Sequence, residues 1–168
     1  MAYQKVNIDV KKSVKTVISV QTDDFSVADL YSGLSLDKAT GGIAMFVGLV
    51  RDFAGAEHHS VAVDAAFELE HYPGMTEKNM ASIVEEATNR WGLQAVTVVH
   101  RVGRLNISDQ IVFVGASAAH RTEAFEACEY IMDYLKSRAA FWKKETVAGK
   151  GAWVEAKDHD KQSLDRWR

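Results

Sequence analysis

The segment from Ala118 to Glu145, AAHRTEAFEACEYIMDYLKSRAAFWKKE, constrains this chain more than any other. It opens with a His-Arg pair, continues as an amphipathic helix from about His120 to Arg138, and ends in lysines set among aromatics. Phe125, Cys128, Met132 and Leu135 recur at spacings of three and four, the period of one helix face. An apolar face has to be buried against another layer, and the rest of the chain supplies strands for that layer.

Val14 to Gln21 alternates with β-branched residues and reads as a strand. Phe25 to Leu34 reads as a short helix with Ser26 as its N-cap. Gly42 to Val50, GIAMFVGLV, is a continuous apolar run and reads as a buried strand. Arg51 to Ser60 reads as a mobile loop, and Val61 to Glu70 as a further strand. Met80, Ile83, Val84, Ala87 and Trp91 mark one face of a second helix from Met75 to Trp91, with Gly92 where a C-terminal cap belongs. Ala95 to His100 and Gln110 to Ser117 read as strands joined by RVGRLNISD, and a short strand is expected around Trp153. Strands mixed with segregated helices argue one α+β domain with a mixed or antiparallel sheet and two main helices. Its expected limits are residues 13–156, between a flexible extension at 1–12 and a charged tail at 157–168.

Composition narrows the function classes. The chain has 168 residues, enough for one sizeable core. A net charge of −3 gives no global pull towards nucleic acid or membrane, so any anion site is local. No apolar run approaches the roughly 20 residues that span a bilayer. The single cysteine excludes an internal disulfide framework and fits a reducing, cytoplasmic setting.

Two sets of residues stand out chemically. Lys136 lies one turn after Met132, at the margin of the apolar face. It reads either as a snorkelling lysine whose stem covers apolar surface or as a partly buried lysine tuned for proton transfer. His120 and Arg121 sit at a helix N-terminus, where free N–H groups favour a phosphate or carboxylate; a capping histidine beside a solvated arginine is the equal alternative. One helix separates the two sets by 16 positions, roughly 24 Å at 1.5 Å per residue. They do not line one small pocket within a single chain, so a site using both is built across a dimer. Cys128, on the helix face, reads as a buried core thiol. His58-His59 lacks the further ligands of a metal site, and no metal is expected.

Beyond single residues, the blocks GGIAMFVGLVRD, ELEHYPGMTEKNM, NRWGL, HRVGRL, SAAHRTEAFEACEYIMDYLKSRAAFWKKE and WVEA resemble, in this order, those of the large, catalytic subunits of molybdopterin synthase. The resemblance runs from about Ile18 to Ala156. It implies an α/β-hammerhead-like fold and a sulfurtransferase of molybdenum cofactor biosynthesis, acting on cyclic pyranopterin monophosphate. It implies a sulfur donor that is the C-terminal thiocarboxylate of a small ubiquitin-like subunit, with no cofactor of the chain's own. It also implies a homodimer within a heterotetramer, its pocket shared between the two large subunits. By the same resemblance Lys136 and Lys143 are catalytic, and Arg51, His120, Arg121, Lys143, Phe46 and Met132 bind substrate. The chain departs from the family pattern at Ala140, where many relatives have proline, and in the loop after Arg51. The rival reading is a non-catalytic adaptor that docks a ubiquitin-like tail.

Overall fold

The computed structural model describes residues 14–51, 66–147, 150–154 and 163–167. Along the chain the elements are β1 (Lys15–Gln21), α1 (Val27–Leu34), β2 (Gly42–Leu49), β3 (Ala66–His71), α2 (Met75–Trp91), β4 (Ala95–Arg101), β5 (Gly103–Leu105), β6 (Gln110–Ala118), α3 (Arg121–Arg138), β7 (Phe141–Val147), β8 (Lys150–Val154) and a terminal 3-10 turn (Ser163–Trp167). The readings of residues 1–12 and of 52–60 lie outside the described residues.

The strands form two four-stranded sheets, ordered β1-β4-β6-β2 and β5-β3-β7-β8. The first is mixed: β1 is parallel to β4, while β4–β6 and β6–β2 are antiparallel. Its central strands are apolar on both faces because both faces are covered. Val96, Val98, Val112, Val114 and Ala116 meet α2 and α3 in the main core. Ala95, Val99 and Phe113 meet Leu34 of α1 and Phe25 on the other side. The second sheet carries a smaller core of Phe67, Leu69 and Leu105, joined by Val50 from the end of β2.

The helices start and stop where cap chemistry directs them. Ser26 Oγ accepts from the Asp29 N–H at 3.3 Å and opens α1. Glu77 reaches back to the Gly74 N–H at 2.7 Å and opens α2. Gly92 ends α2 with φ +59, a left-handed backbone that glycine adopts without a Cβ penalty.

Four expectations need correction. Strand β2 is not buried but forms an edge, with Met45 and Phe46 each 43% exposed and Leu49 56% exposed. The core face of α3 is Ala124, Ala127, Cys128, Ile131 and Leu135, while Phe125 is 65% exposed. The reason is spacing: α3 lies on Ala44, Ala116 and Ala118, and small residues on both surfaces let the helix approach the sheet closely. The joining stretch after β4 contains strand β5, and the region around Trp153 is a whole hairpin, β7–β8, rather than one short strand.

Candidate active site

Helix α3 follows β6 through a turn of two residues and returns along it. Since β2 is antiparallel to β6, α3 runs in the same direction as β2. The start of the helix sits over the start of β2. A Cβ on Gly42 would stand 3.3 Å from Arg121 Cα, and one on Gly41 would collide with the Ala119 carbonyl. The glycine pair therefore lets the His120–Arg121 turn settle onto the strand. Both His120 and Arg121 are exposed there. Halfway along, the Cys128 thiol lies against the Val114 carbonyl at 3.6 Å and against the Phe46 backbone. Phe46 and Met132 flank this middle stretch, Phe46 on the exposed edge and Met132 half-buried one turn past Cys128.

The far end of α3 brings the other cations together. Lys136 lies in its last turn and Arg51 just beyond the end of β2. Lys143 lies on β7 opposite Leu69. The pleat puts Lys143 on the same face as Leu69 and Phe67, and its Nζ stands 5.1 Å from the Phe67 ring centroid. Lys144 points to the other face, its Nζ 5.6 Å from the Trp153 ring. Phe67 packs in the same cluster as Val50, the residue before Arg51, so Lys143 and Arg51 flank one apolar group. The single chain thus gathers Arg51, Lys136 and Lys143 at one end. It leaves His120 and Arg121 at the other, roughly 26 Å away along the eight residues of β2.

Lys136 is exposed rather than partly buried, so within one chain the desolvated form of the lysine reading is not met. Lys143 is half-buried over Phe67. Cys128 is buried, and burial followed by the charge of Glu129 pushes its thiol up to about 12, against a smaller opposing bond from the Phe46 backbone. It therefore stays a thiol at neutral pH and is no nucleophile. Among the described residues no three His, Cys, Asp or Glu side chains converge as a metal site. Among them, too, no helix is long and apolar enough to cross a membrane.

The junction between Lys136 and Lys143 is held from α2, which the sequence reading missed. Thr76 Oγ donates to the Ala140 carbonyl at 3.0 Å and accepts from the Tyr72 N–H at 3.2 Å. Asn79 donates to the Arg138 carbonyl at 3.1 Å. Glu86 takes a fork of two 2.9 Å bonds from Arg138 and a third from Tyr130 at 2.9 Å. The Arg138 hydrogen bond is the main reason the Glu86 carboxyl titrates below its ordinary range, with burial opposing. Beyond the junction, Phe141 stacks on His100, with centroids 3.9 Å apart and planes at 21°.

A comparison with known proteins decides the family. The family model described as MoaE protein matches residues 20–138. The chain belongs to the MoaE family. Two MoaE relatives are the molybdopterin synthase catalytic subunits of Vibrio cholerae and of Escherichia coli strain K12. Each is 48% identical, over 89% of this chain and 97% of the first relative, and over 91% of this chain and 99% of the second. Among solved structures, molybdopterin cofactor biosynthesis protein E of Burkholderia multivorans superposes with a TM-score of 0.75 at 46% identity, covering 92% of this chain and 97% of that one. The molybdopterin synthase of Staphylococcus aureus superposes with a TM-score of 0.71 at 27% identity, covering 87% and 99%. A chain from the complex of subunits 1 and 2 of the Helicobacter pylori molybdopterin-converting factor shares the fold, with a TM-score of 0.67 at 17% identity, covering 83% and 91%.

Proposed function

We propose that this chain is the catalytic subunit of a molybdopterin synthase and acts as a sulfurtransferase. In this reading it transfers sulfur from the C-terminal thiocarboxylate of a small ubiquitin-like subunit to cyclic pyranopterin monophosphate, and the dithiolene is formed on the pterin. The observation that carries the reading is Lys143 standing over Phe67 in the cluster that Val50 joins just before Arg51, with Lys136 in the last turn of the helix that leads into the same strand, in a MoaE chain. An adaptor that only docks a protein tail has no use for that concentration of cations.

Each residue type suits its proposed part. Arg51, His120 and Arg121 offer donors to the phosphate, the two arginines as planar forks. Lys143 has an apolar ring beneath its stem and its ammonium group held beside the cluster. Lys136 is the group proposed to meet the partner's acyl carbonyl and stabilise its developing charge, or to move a proton there. Phe46 and Met132 supply apolar wall. No cofactor of the chain's own is required, and the buried, protonated Cys128 leaves the sulfur to arrive from the partner. A small partner subunit accords with the two-subunit Helicobacter pylori complex in which a chain of this fold is found. The separation of His120 and Arg121 from the lysines supports a homodimer in which each copy completes the other's pocket, with one small subunit at each end. A cytoplasmic place of action belongs to the same proposal.

The decisive experiment is incubation with the pterin precursor and thiocarboxylated small subunit, with detection of the dithiolene. Lys136→Ala is expected to abolish product while its thermal unfolding stays within a few degrees of the parent, because an exposed lysine carries little stability. Normal turnover by that variant would reject the assignment of Lys136.

A further inference from the structure

Lys136 and Lys143 sit on different elements, one in the last turn of α3 and one on β7. Only Ala139 and Ala140 separate those elements. The direction the chain takes through these two residues therefore sets where one lysine stands relative to the other. Ala139 is extended, with φ −75 and ψ 133, and its carbonyl accepts from the Phe141 N–H at 2.9 Å. Apart from that short-range bond the junction has no φ-fixing residue of its own, since position 140 is alanine rather than proline.

The stiffening comes from α2. Thr76 is fully buried, at 0% exposure, and its hydroxyl is bonded on both sides, to the Tyr72 N–H and to the Ala140 carbonyl 64 residues away. The hydroxyl itself is shielded from water. Asn79, one turn further along α2, holds the Arg138 carbonyl. Resting on the functional reading above, we propose that Thr76 is a positioning residue for the reaction: its hydroxyl fixes the Ala140 carbonyl and through it the spacing of Lys136 from Lys143. Asn79 assists from the helix side, and the His100 ring closes the strand side by stacking on Phe141. Thr76 touches no reacting atom in this assignment. It acts through the two lysines.

The test compares Thr76→Val, which keeps shape and removes the hydroxyl, with Thr76→Ser, which keeps the hydroxyl. Steady-state sulfur transfer is measured with the thiocarboxylated small subunit and the pterin precursor. Amide hydrogen exchange is measured in parallel on the peptide covering 139–147. Thr76→Val is expected to lower kcat about 10- to 100-fold, the scale of loss for a misplaced catalytic group, with KM for the small subunit changed less than about twofold. Exchange in 139–147 rises in the same variant, and Thr76→Ser restores both readouts. A folded Thr76→Val with parental kcat and exchange overturns the proposal, as do equal defects in the Val and Ser variants. Should Thr76→Val not fold, Asn79→Leu removes the exposed neighbouring tether. The same split between kcat and KM is then expected in smaller measure, and parental values in both readouts overturn the proposal. If the parent chain makes no dithiolene, the functional reading fails, while the exchange measurement still decides whether the hydroxyl holds the junction.

Discussion

His100 shows how one side chain can tie pH to the architecture. Its ring lies between the end of β4 and Phe141, and its Nδ1 stands 2.9 Å from the Arg101 carbonyl, so Nδ1 carries the proton and donates. Desolvation lowers its pKa to about 4, with the nearby His71 adding to the effect and the Arg101 bond opposing it. The folded ring is therefore neutral at neutral pH. An unfolded histidine titrates near 6.5. The unfolded chain then binds the extra proton first as pH falls. The stability contribution is complete above about 6.5, declines as pH drops from there towards 4, and is gone below. Its full size is up to roughly 3 kcal/mol. Glu86 acts in the same sense at lower pH, since a carboxyl lowered by Arg138 loses its stabilising effect as it is protonated. Denaturant midpoints measured from pH 7.5 to 4.5 should fall for the parent, and His100→Phe should flatten that part of the slope. An unchanged slope in His100→Phe would place the acid sensitivity elsewhere. None of this was legible in the sequence, where His100 is a polar residue at the end of a β-branched strand.

At the scale of elements, legibility followed the range of the signal. Helix α2 was read to its observed ends because a five-residue apolar face and a terminal glycine all lie within one window. Helix α3 was placed correctly but turned on its axis. Phe125 outweighed the alanines in a hydrophobic count, although the alanines are what close packing on a sheet demands. Strand β7, FWKKETV, was missed because adjacent lysines break the apolar alternation. The register explains them, one facing the Phe67 cluster and one facing Trp153. The division into two sheets depends on pairings between distant segments, which no local pattern records. Lys136, His120 and Arg121 stood out by their places on the helix, and Arg51, Lys143, Phe46 and Met132 came as site residues from the family resemblance, whereas the α2 tethers span up to 64 residues and left no sequence signal. The terminal 3-10 turn is the plainest case of order in a charged tail. Trp167 stacks edge-on against Trp91 and Tyr130, donates to Asp133 at 2.8 Å, and its carbonyl accepts from Arg90 at 2.8 Å. Trp167→Ala should cost about 1–3 kcal/mol in chemical denaturation, since it removes a half-buried ring and a bonded N–H. A loss below about 0.5 kcal/mol would mean that the turn adds nothing to the α2–α3 pair.

For the whole molecule, the governing fact is that β2 and α3 carry cations to opposite ends. Under the proposed dimer, each pocket takes Lys136, Lys143 and Arg51 from one copy and His120 and Arg121 from the other. Mixing Lys136→Ala with Arg121→Ala subunits then leaves one intact pocket in every mixed dimer. About a quarter of parental activity should return after random 1:1 exchange of subunits in a symmetric two-site dimer. Verified mixed dimers without activity would reject sharing. The same separation has a genetic consequence. A copy lacking only Lys136 spoils one of the two pockets when paired with a normal copy, so such an allele is nearly recessive. A copy carrying both Lys136→Ala and Arg121→Ala spoils both pockets of any dimer it enters. Two recessive lesions become dominant when they fall on the same chain, because the length of one helix places them in different sites.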